Sequence, residues 1–242
     1  MLGILDSGIG GLALLNAIKL RIPKASLFYL ADSKRAPFGT LTKKDLLAIA
    51  KQDCAYLLQS GASSVAIACH SISTNFGLYL QKLFAPFPVF LISSCFHLSS
   101  TFQKICLLGT AATLRSLFYQ KLYPQKTFFP INAQKLVYLI EKREQNDDLI
   151  QDFIKKIPED AEAVLLGCTH FFFLQEKLQV FAPHLPFIEC STQFATTILP
   201  FIKEGKSIMQ ATGNSKNFFL KAIPLLTPSA FHHLSFNSTT KI

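Results

Sequence analysis

Two cysteines stand in settings that repeat. Residues 65–68 are a short apolar run that leads into Cys69-His70-Ser71, and residues 164–166 are another that leads into Gly167-Cys168-Thr169-His170. Each run has the length of a buried strand. Each cysteine then lies at a carboxyl strand end, the edge at which open α/β sheets bind ligands. A turn and a helix start follow both, and unpaired N–H groups there favour an anion, either a thiolate or a substrate carboxylate. A thiol ionises near about pH 8.5, and donor-rich surroundings lower that value. Two such thiols facing each other across a cleft could invert a stereocentre. One takes a proton from a carbon as thiolate, the other gives a proton to the opposite face, and the roles exchange in the reverse direction. General acid–base chemistry of this kind needs no metal and no cofactor.

The competing reading is that free cysteine is usually a small buried hydrophobe. Matched positions in a repeat, flanked by Ser, Thr or His, weigh towards chemistry. Cys54, Cys95, Cys106 and Cys190 lack that setting and read as core or incidental. No C-x-x-C pair or zinc spacing occurs among the six cysteines, so free thiols in a reducing compartment are expected. Asp6 and Ser7 leave the first strand at the same edge. They serve either as helix cap and turn or as substrate contacts, with Ser7 bonding the substrate and Asp6 bonding its ammonium or assisting a thiol. His170 lies two residues after Cys168 as a proton partner or a backbone contact, and His70 carries the same alternatives beside Cys69.

The elements that must position these groups alternate as strand and helix. Residues 2–5 form a strand, followed by Asp6-Ser7-Gly8-Ile9-Gly10-Gly11 and a helix ending near Pro23. The glycines permit a tight turn and close backbone approach, but their spacing fits neither a dinucleotide nor a phosphate loop. Residues 27–31 are a second strand, leading into a Pro/Gly loop. Thr42 and Asp45 form a capping-box pattern for a helix to about 60, closed by Gly61. A helix over 73–84 and a strand over 89–92 follow. Residues 105–108 with Gly109-Thr110 and a helix through 119 echo the first strand–turn–helix, at the offset of about one hundred residues that also relates the two cysteines. The pattern predicts an α/β fold of two similar lobes with mainly parallel sheets and the active site between them. Residues 1–92 with about 204–225 would form the first lobe, 93–203 the second, and 226–242 a polar tail. Helices are expected over 134–143, 148–157, 191–203 and 214–225, a strand over 187–189, and an exposed charged stretch over 141–148.

Half of the residues are hydrophobic, with mean hydropathy +0.31, so a chain of 242 residues can bury a large core. No run approaches a membrane span, and the start of the chain has no basic region before an apolar one, so a cytoplasmic protein is expected. The net charge of +9 is spread singly or in pairs, which makes nucleic acid an unlikely partner and suits an acidic small substrate.

The ordered motifs resemble the cofactor-independent glutamate racemases of the aspartate/glutamate racemase superfamily. They are Asp6-Ser7-Gly8-Ile9-Gly10-Gly11, Tyr29-Leu30-Ala31-Asp32 with Pro37-Phe38-Gly39, Ile67-Ala68-Cys69, Leu108-Gly109-Thr110 with Ala112-Thr113 and Ser116, Gly167-Cys168-Thr169-His170 and, more weakly, Thr212-Gly213-Asn214. The resemblance implies a two-base mechanism with Cys69 and Cys168 on opposite faces of the α-carbon, assisted by Asp6 and His170. It implies substrate contacts from Asp6, Ser7, His70, Ser71, Thr169 and His170, and from Phe38 and Gly39 through their backbone. It further implies glutamate as substrate without metal or pyridoxal phosphate, a product used in peptidoglycan synthesis, and the homodimer common in the family. Cys69-His70-Ser71 replaces the usual Cys-Asn-Thr, Phe38 the usual Tyr, and Phe171-Phe172-Phe173 the usual Tyr-Pro-Leu. An Ala-Cys-Pro-like segment is missing near 128–131. These departures keep open a racemase for aspartate or another amino acid, or a racemase fold kept for binding a protein partner.

Overall fold

Short apolar runs become strands covered on both faces. Every residue is buried in β1 (Leu2–Asp6), β2 (Leu27–Ala31) and β3 (Ser64–Ile67), as in parallel sheets flanked by helices. The computed structural model describes residues 1–94 and 97–239, so Cys95 lies outside the described residues. The chain continues with β4 (Val89–Leu91), β5 (Lys104–Gly109), β6 (Thr127–Asn132), β7 (Ala163–Gly167), β8 (Phe187–Ile188), β9 (Ser207–Thr212) and β10 (Leu234–Thr239). One sheet has the order β10-β9-β2-β1-β3-β4 and the other β6-β5-β7-β8. All strand pairings are parallel.

The order β2-β1-β3-β4 in the first sheet is repeated by β6-β5-β7-β8 in the second. In such an order the connections leave β1 in opposite directions, so a crevice opens at the carboxyl ends of β1 and β3. The second sheet has its own crevice at β5 and β7. The α/β class and paired parallel sheets expected from the sequence are therefore present.

The helices that bear on the site are α1 (Leu12–Arg21), α2 (Lys43–Gln59), α3 (His70–Leu83), α4 (Ala111–Arg115), α5 (Phe118–Leu122) and α6 (Gln134–Lys142). Helix α1 is buried from Leu12 to Lys19, because the helices Ser191–Ile198 and Pro228–Phe231 also pack on it. Lys19 is held inside by the carbonyls of Pro23 and Ala25 and by Ser207 Oγ, and burial pushes its ammonium down to about 8.

Several expectations change. The helix after Cys69 starts at His70 rather than 73, which makes Cys69 its N-cap. Leu117, in the left-handed region at φ 52°, divides the helix expected to run through 119 into α4 and α5. The helix from Ser191 ends at Ile198, and Leu199–Phe201 is a separate 3-10 turn. Strand β6 was hidden by Pro130 and is an edge strand, where a missing N–H is tolerated. The expected tail over 226–242 instead supplies the helix Pro228–Phe231 and strand β10, which pairs in parallel with β9. Phe236 anchors it, its ring 5.3 Å from Phe219 and 6.0 Å from Phe231. Residues 240–242 lie outside the described residues. Among the described residues no helix is long and apolar enough to cross a membrane.

Phe194 is fully buried on the helix that seals α1. Phe194→Ala is expected to lower unfolding stability by about 3–5 kcal/mol in urea titration. A loss under about 1 kcal/mol would show that this helix contributes little to the core.

Candidate active site

The four strand ends that flank the two crevices carry Asp6, Cys69, Thr110 and Cys168. Hydrogen bonds tie the crevices to each other. Thr169 Oγ1, after β7, donates to Asp6 Oδ2 at the end of β1 over 3.1 Å. Ser71 Oγ, in the first turn of α3, lies 3.0 Å from Thr110 Oγ1 after β5. Cys69 and Cys168, one from each sheet, are brought to this shared seam, and both are buried.

Behind Cys168 stands a polar relay. His170 Nδ1 is 3.7 Å from Cys168 Sγ, and His170 Nε2 is 2.7 Å from Glu141 Oε1. Glu141 Oε1 also accepts the Ile9 N–H at 3.1 Å. Burial opposes a charge on His170, but its bonds to Cys168 and Glu141 outweigh that and hold the imidazole well above its ordinary range. Burial likewise disfavours the Glu141 carboxylate, and the His170 bond overrides it, so the carboxyl is held below its usual range. The pair is an imidazolium and a carboxylate, with a donor N–H directed at each partner. The glycine turn makes this approach possible. A Cβ at Gly8 would overlap Glu141 Oε1, and one at Gly10 would overlap Thr169 Oγ1.

On the other side, burial pushes the Cys69 thiol well up, and the Asp6 carboxylate pushes it the same way. The N–H groups of Ile72 and Ser71 act against this shift without reversing it. Asp6 is fully buried, and desolvation raises its carboxyl although His170, Gly8 and Thr169 act against it. Its Oδ1 accepts the Gly8 N–H at 3.0 Å, and Tyr29 Oη fixes the same turn by donating to the Gly8 carbonyl at 2.6 Å.

The seam thus gathers Cys69, Cys168, Asp6, Ser71, Thr169 and His170. Ser7 opens with His170, Glu141, Asn214 and Lys221 onto an adjoining cavity of about 340 Å³. Phe38 buries its ring in the apolar core around α2, and Gly39 packs against Thr110. The loop before them is pinned by Arg35, which bonds both Asp32 and Asp53, while Asp32 accepts from Thr212 Oγ1 at 2.6 Å. That bond gives the weak Thr212-Gly213-Asn214 match a positioning role. His70 turns away from polar partners. Its ring lies 6.5 Å from that of Tyr119, neither nitrogen is hydrogen-bonded, and burial pushes it down to about 3, so it is neutral.

Glu141 was expected within an exposed charged stretch, and the structure corrects that. It lies four residues after the buried Val137, hence on the inner face of α6, and that spacing was the available signal. Tyr29 and Thr110 appeared only as parts of motifs. Among the described residues no group of three or more His, Cys, Asp or Glu side chains is placed to hold a metal ion.

The arrangement offers two thiols from opposite sheets, each with its own carboxylate or imidazole partner. It suits proton removal and return at one carbon. Comparison with known proteins finds glutamate racemases similar in sequence and in fold. The chain is 29% identical over 215 residues to a glutamate racemase of Hydrogenobaculum sp., covering 84% of this chain and 82% of the relative. It is 27% identical over 234 residues to that of Aquifex aeolicus, covering 89% and 90%. The fold superposes on the glutamate racemase of Francisella tularensis solved with D-glutamate, with a TM-score of 0.86 at 20% identity over 99% of this chain and 97% of that one. The Picrophilus torridus aspartate racemase is more distant, with a TM-score of 0.60 at 16% identity over 84% and 95% of the two chains. No protein-family model matches the chain.

The raised His170 contributes stability that is fully present below its ordinary value of about 6.5 and lost as pH rises through its folded value. The lowered Glu141 contributes stability present above about 4.5 and lost as pH falls through its folded value. Glu141→Gln is therefore expected to cost about 1.5–3 kcal/mol in denaturant titrations at about pH 5.5 and distinctly less at about pH 10. An equal deficit at both values would remove the charge pairing from the account.

Proposed function

We propose that this chain, a member of the aspartate/glutamate racemase superfamily by sequence and fold, interconverts L- and D-glutamate with two thiols acting on opposite faces of the α-carbon. One observation carries the reading. Cys69 and Cys168 end equivalent strands, β3 and β7, of two sheets with the same central order, and hydrogen bonds join the two crevices.

The two sides have unlike partners. Cys69, buried beside Asp6, is a thiol and is set to donate. Cys168 faces His170 and, in the deprotonated form that this direction requires, accepts the α-proton. In this direction the α-C–H bond breaks towards Cys168 Sγ, the carbanion takes the Cys69 proton on its other face, and the configuration inverts. The cysteines have then exchanged states, which is the starting point for the reverse reaction. Asp6 stands beside Cys69 as a carboxylate that can take its proton, and His170 stands beside Cys168 as a donor that stabilises its sulfur when deprotonated. General acid–base groups of this kind contribute roughly 10²–10⁴-fold each. The Asp6 carboxylate, already holding Gly8 and Thr169, also suits the substrate ammonium, and the N–H groups at the starts of α3 and of the Thr169–Leu174 turn suit the substrate carboxylate. The net charge of +9 favours arrival of an anionic amino acid. The same reading places the enzyme in the cytoplasm as a homodimer, with D-glutamate passing to peptidoglycan synthesis. Those parts rest on the family resemblance.

Loss of circular dichroism from L-glutamate, with L-aspartate in parallel, tests the proposal. Wild type is expected to act on glutamate, with Cys69→Ser and Cys168→Ser each slower by at least about 10²-fold. Activity on aspartate alone would move the chain to another substrate. A folded protein inert on both would leave a binding role.

A further inference from the structure

Gln134 opens α6, and its side chain is nine-tenths buried. Neither its Oε1 nor its Nε2 has a hydrogen-bond partner. A carboxamide buried with both ends unpaired is costly, and native proteins seldom keep one without a use. Its place is specific. A Cβ at Gly39 would overlap Gln134 Oε1 and would come within 2.5 Å of Thr110 Cβ, so the amide oxygen and Thr110 both lie against the Phe38–Thr40 turn. Thr110 is the residue whose hydroxyl meets Ser71 Oγ at 3.0 Å, and Ser71 is two residues from Cys69. Gln134 therefore belongs to the corner of the seam where Gly39, Thr110 and Ser71 converge.

We infer that Gln134 is a specificity-determining residue whose Nε2–H donates to a carboxylate of the amino-acid substrate at the Gly39–Thr110–Ser71 corner. This rests on the proposed reading of the cleft as a glutamate site. The chemistry selects among substrates. A neutral amide in this position supplies a donor without a counter-charge, so it favours a dicarboxylic amino acid over one with an apolar side chain. The buried hydroxyls of Ser71 and Thr110 are already committed to each other, and Thr110 also bonds Thr113. Gln134 supplies the uncommitted donor beside them. Rotation of the amide leaves Oε1 free to accept from a neighbouring hydroxyl.

Calorimetric binding of racemic glutamate, on which turnover has no net effect, tests the inference with wild type, Gln134→Met and Gln134→Glu. The Met variant keeps length and packing and is expected to bind about tenfold more weakly. The Glu variant sets a carboxylate against the substrate's and should bind more weakly still. In racemisation assays the loss should fall on KM more than on kcat, with thermal unfolding of the Met variant close to wild type. Unchanged affinity in Gln134→Met, or the same loss in both variants, would make Gln134 a packing residue and overturn the inference. Should the Glu variant fail to fold, the Met variant decides alone. A wild type that binds glutamate with this Gln134 dependence yet does not racemise it would sink the functional reading and keep the inference. A wild type that does not bind glutamate would overturn both.

Discussion

An imidazole that bridges a thiol and a carboxylate inside the protein is the contact on which the seam depends. His170 meets Cys168 through one nitrogen and Glu141 through the other, and burial leaves it no alternative partner in solvent. Taking an ion pair out of water is repaid only when its remaining hydrogen bonds are also satisfied. Here the Ile9 N–H completes Glu141, so the relay is also a clasp between the glycine turn after β1 and the second sheet. A side chain at Gly8 would displace the Glu141 carboxylate, and one at Gly10 would press on Thr169 and the His170 ring.

The asymmetry of the two sides follows from the same burial. Both sheets repeat one strand order and place a cysteine at one strand end, yet their surroundings differ. Cys69 faces a carboxylate and stays protonated, whereas Cys168 faces an imidazolium. A symmetric scaffold thus surrounds two equivalent cysteines with unlike partners, Asp6 on one side and His170 on the other, and the proposed proton transfer draws on that difference.

Much of this was legible in the sequence because strand ends and glycine turns are local. The apolar runs before Cys69 and Cys168, the capping pattern Thr42 with Asp45, and Gly61 in the left-handed region at φ 96° all became the expected elements. What stayed hidden depends on contacts distant in sequence. Glu141 reads as one more charge in a charged stretch until α6 turns it towards His170. Strand β6 carries a proline that edge position excuses, and β10 mixes polar and apolar residues because its outer side has no further strand. His70 was also legible only in part. Its place beside Cys69 is local, but the Tyr119 ring beside it and the burial that keeps it neutral come from distant contacts.

The most direct test of two thiols on opposite faces is racemisation of L-glutamate in deuterium oxide, stopped after a few per cent of conversion. Two separate acid–base groups predict that the D-glutamate formed carries solvent deuterium at the α-carbon while unreacted L-glutamate remains protiated, since the proton removed on one face is not the one delivered on the other. Product that retains the original α-proton would mean that a single group carries it across, and would contradict the account.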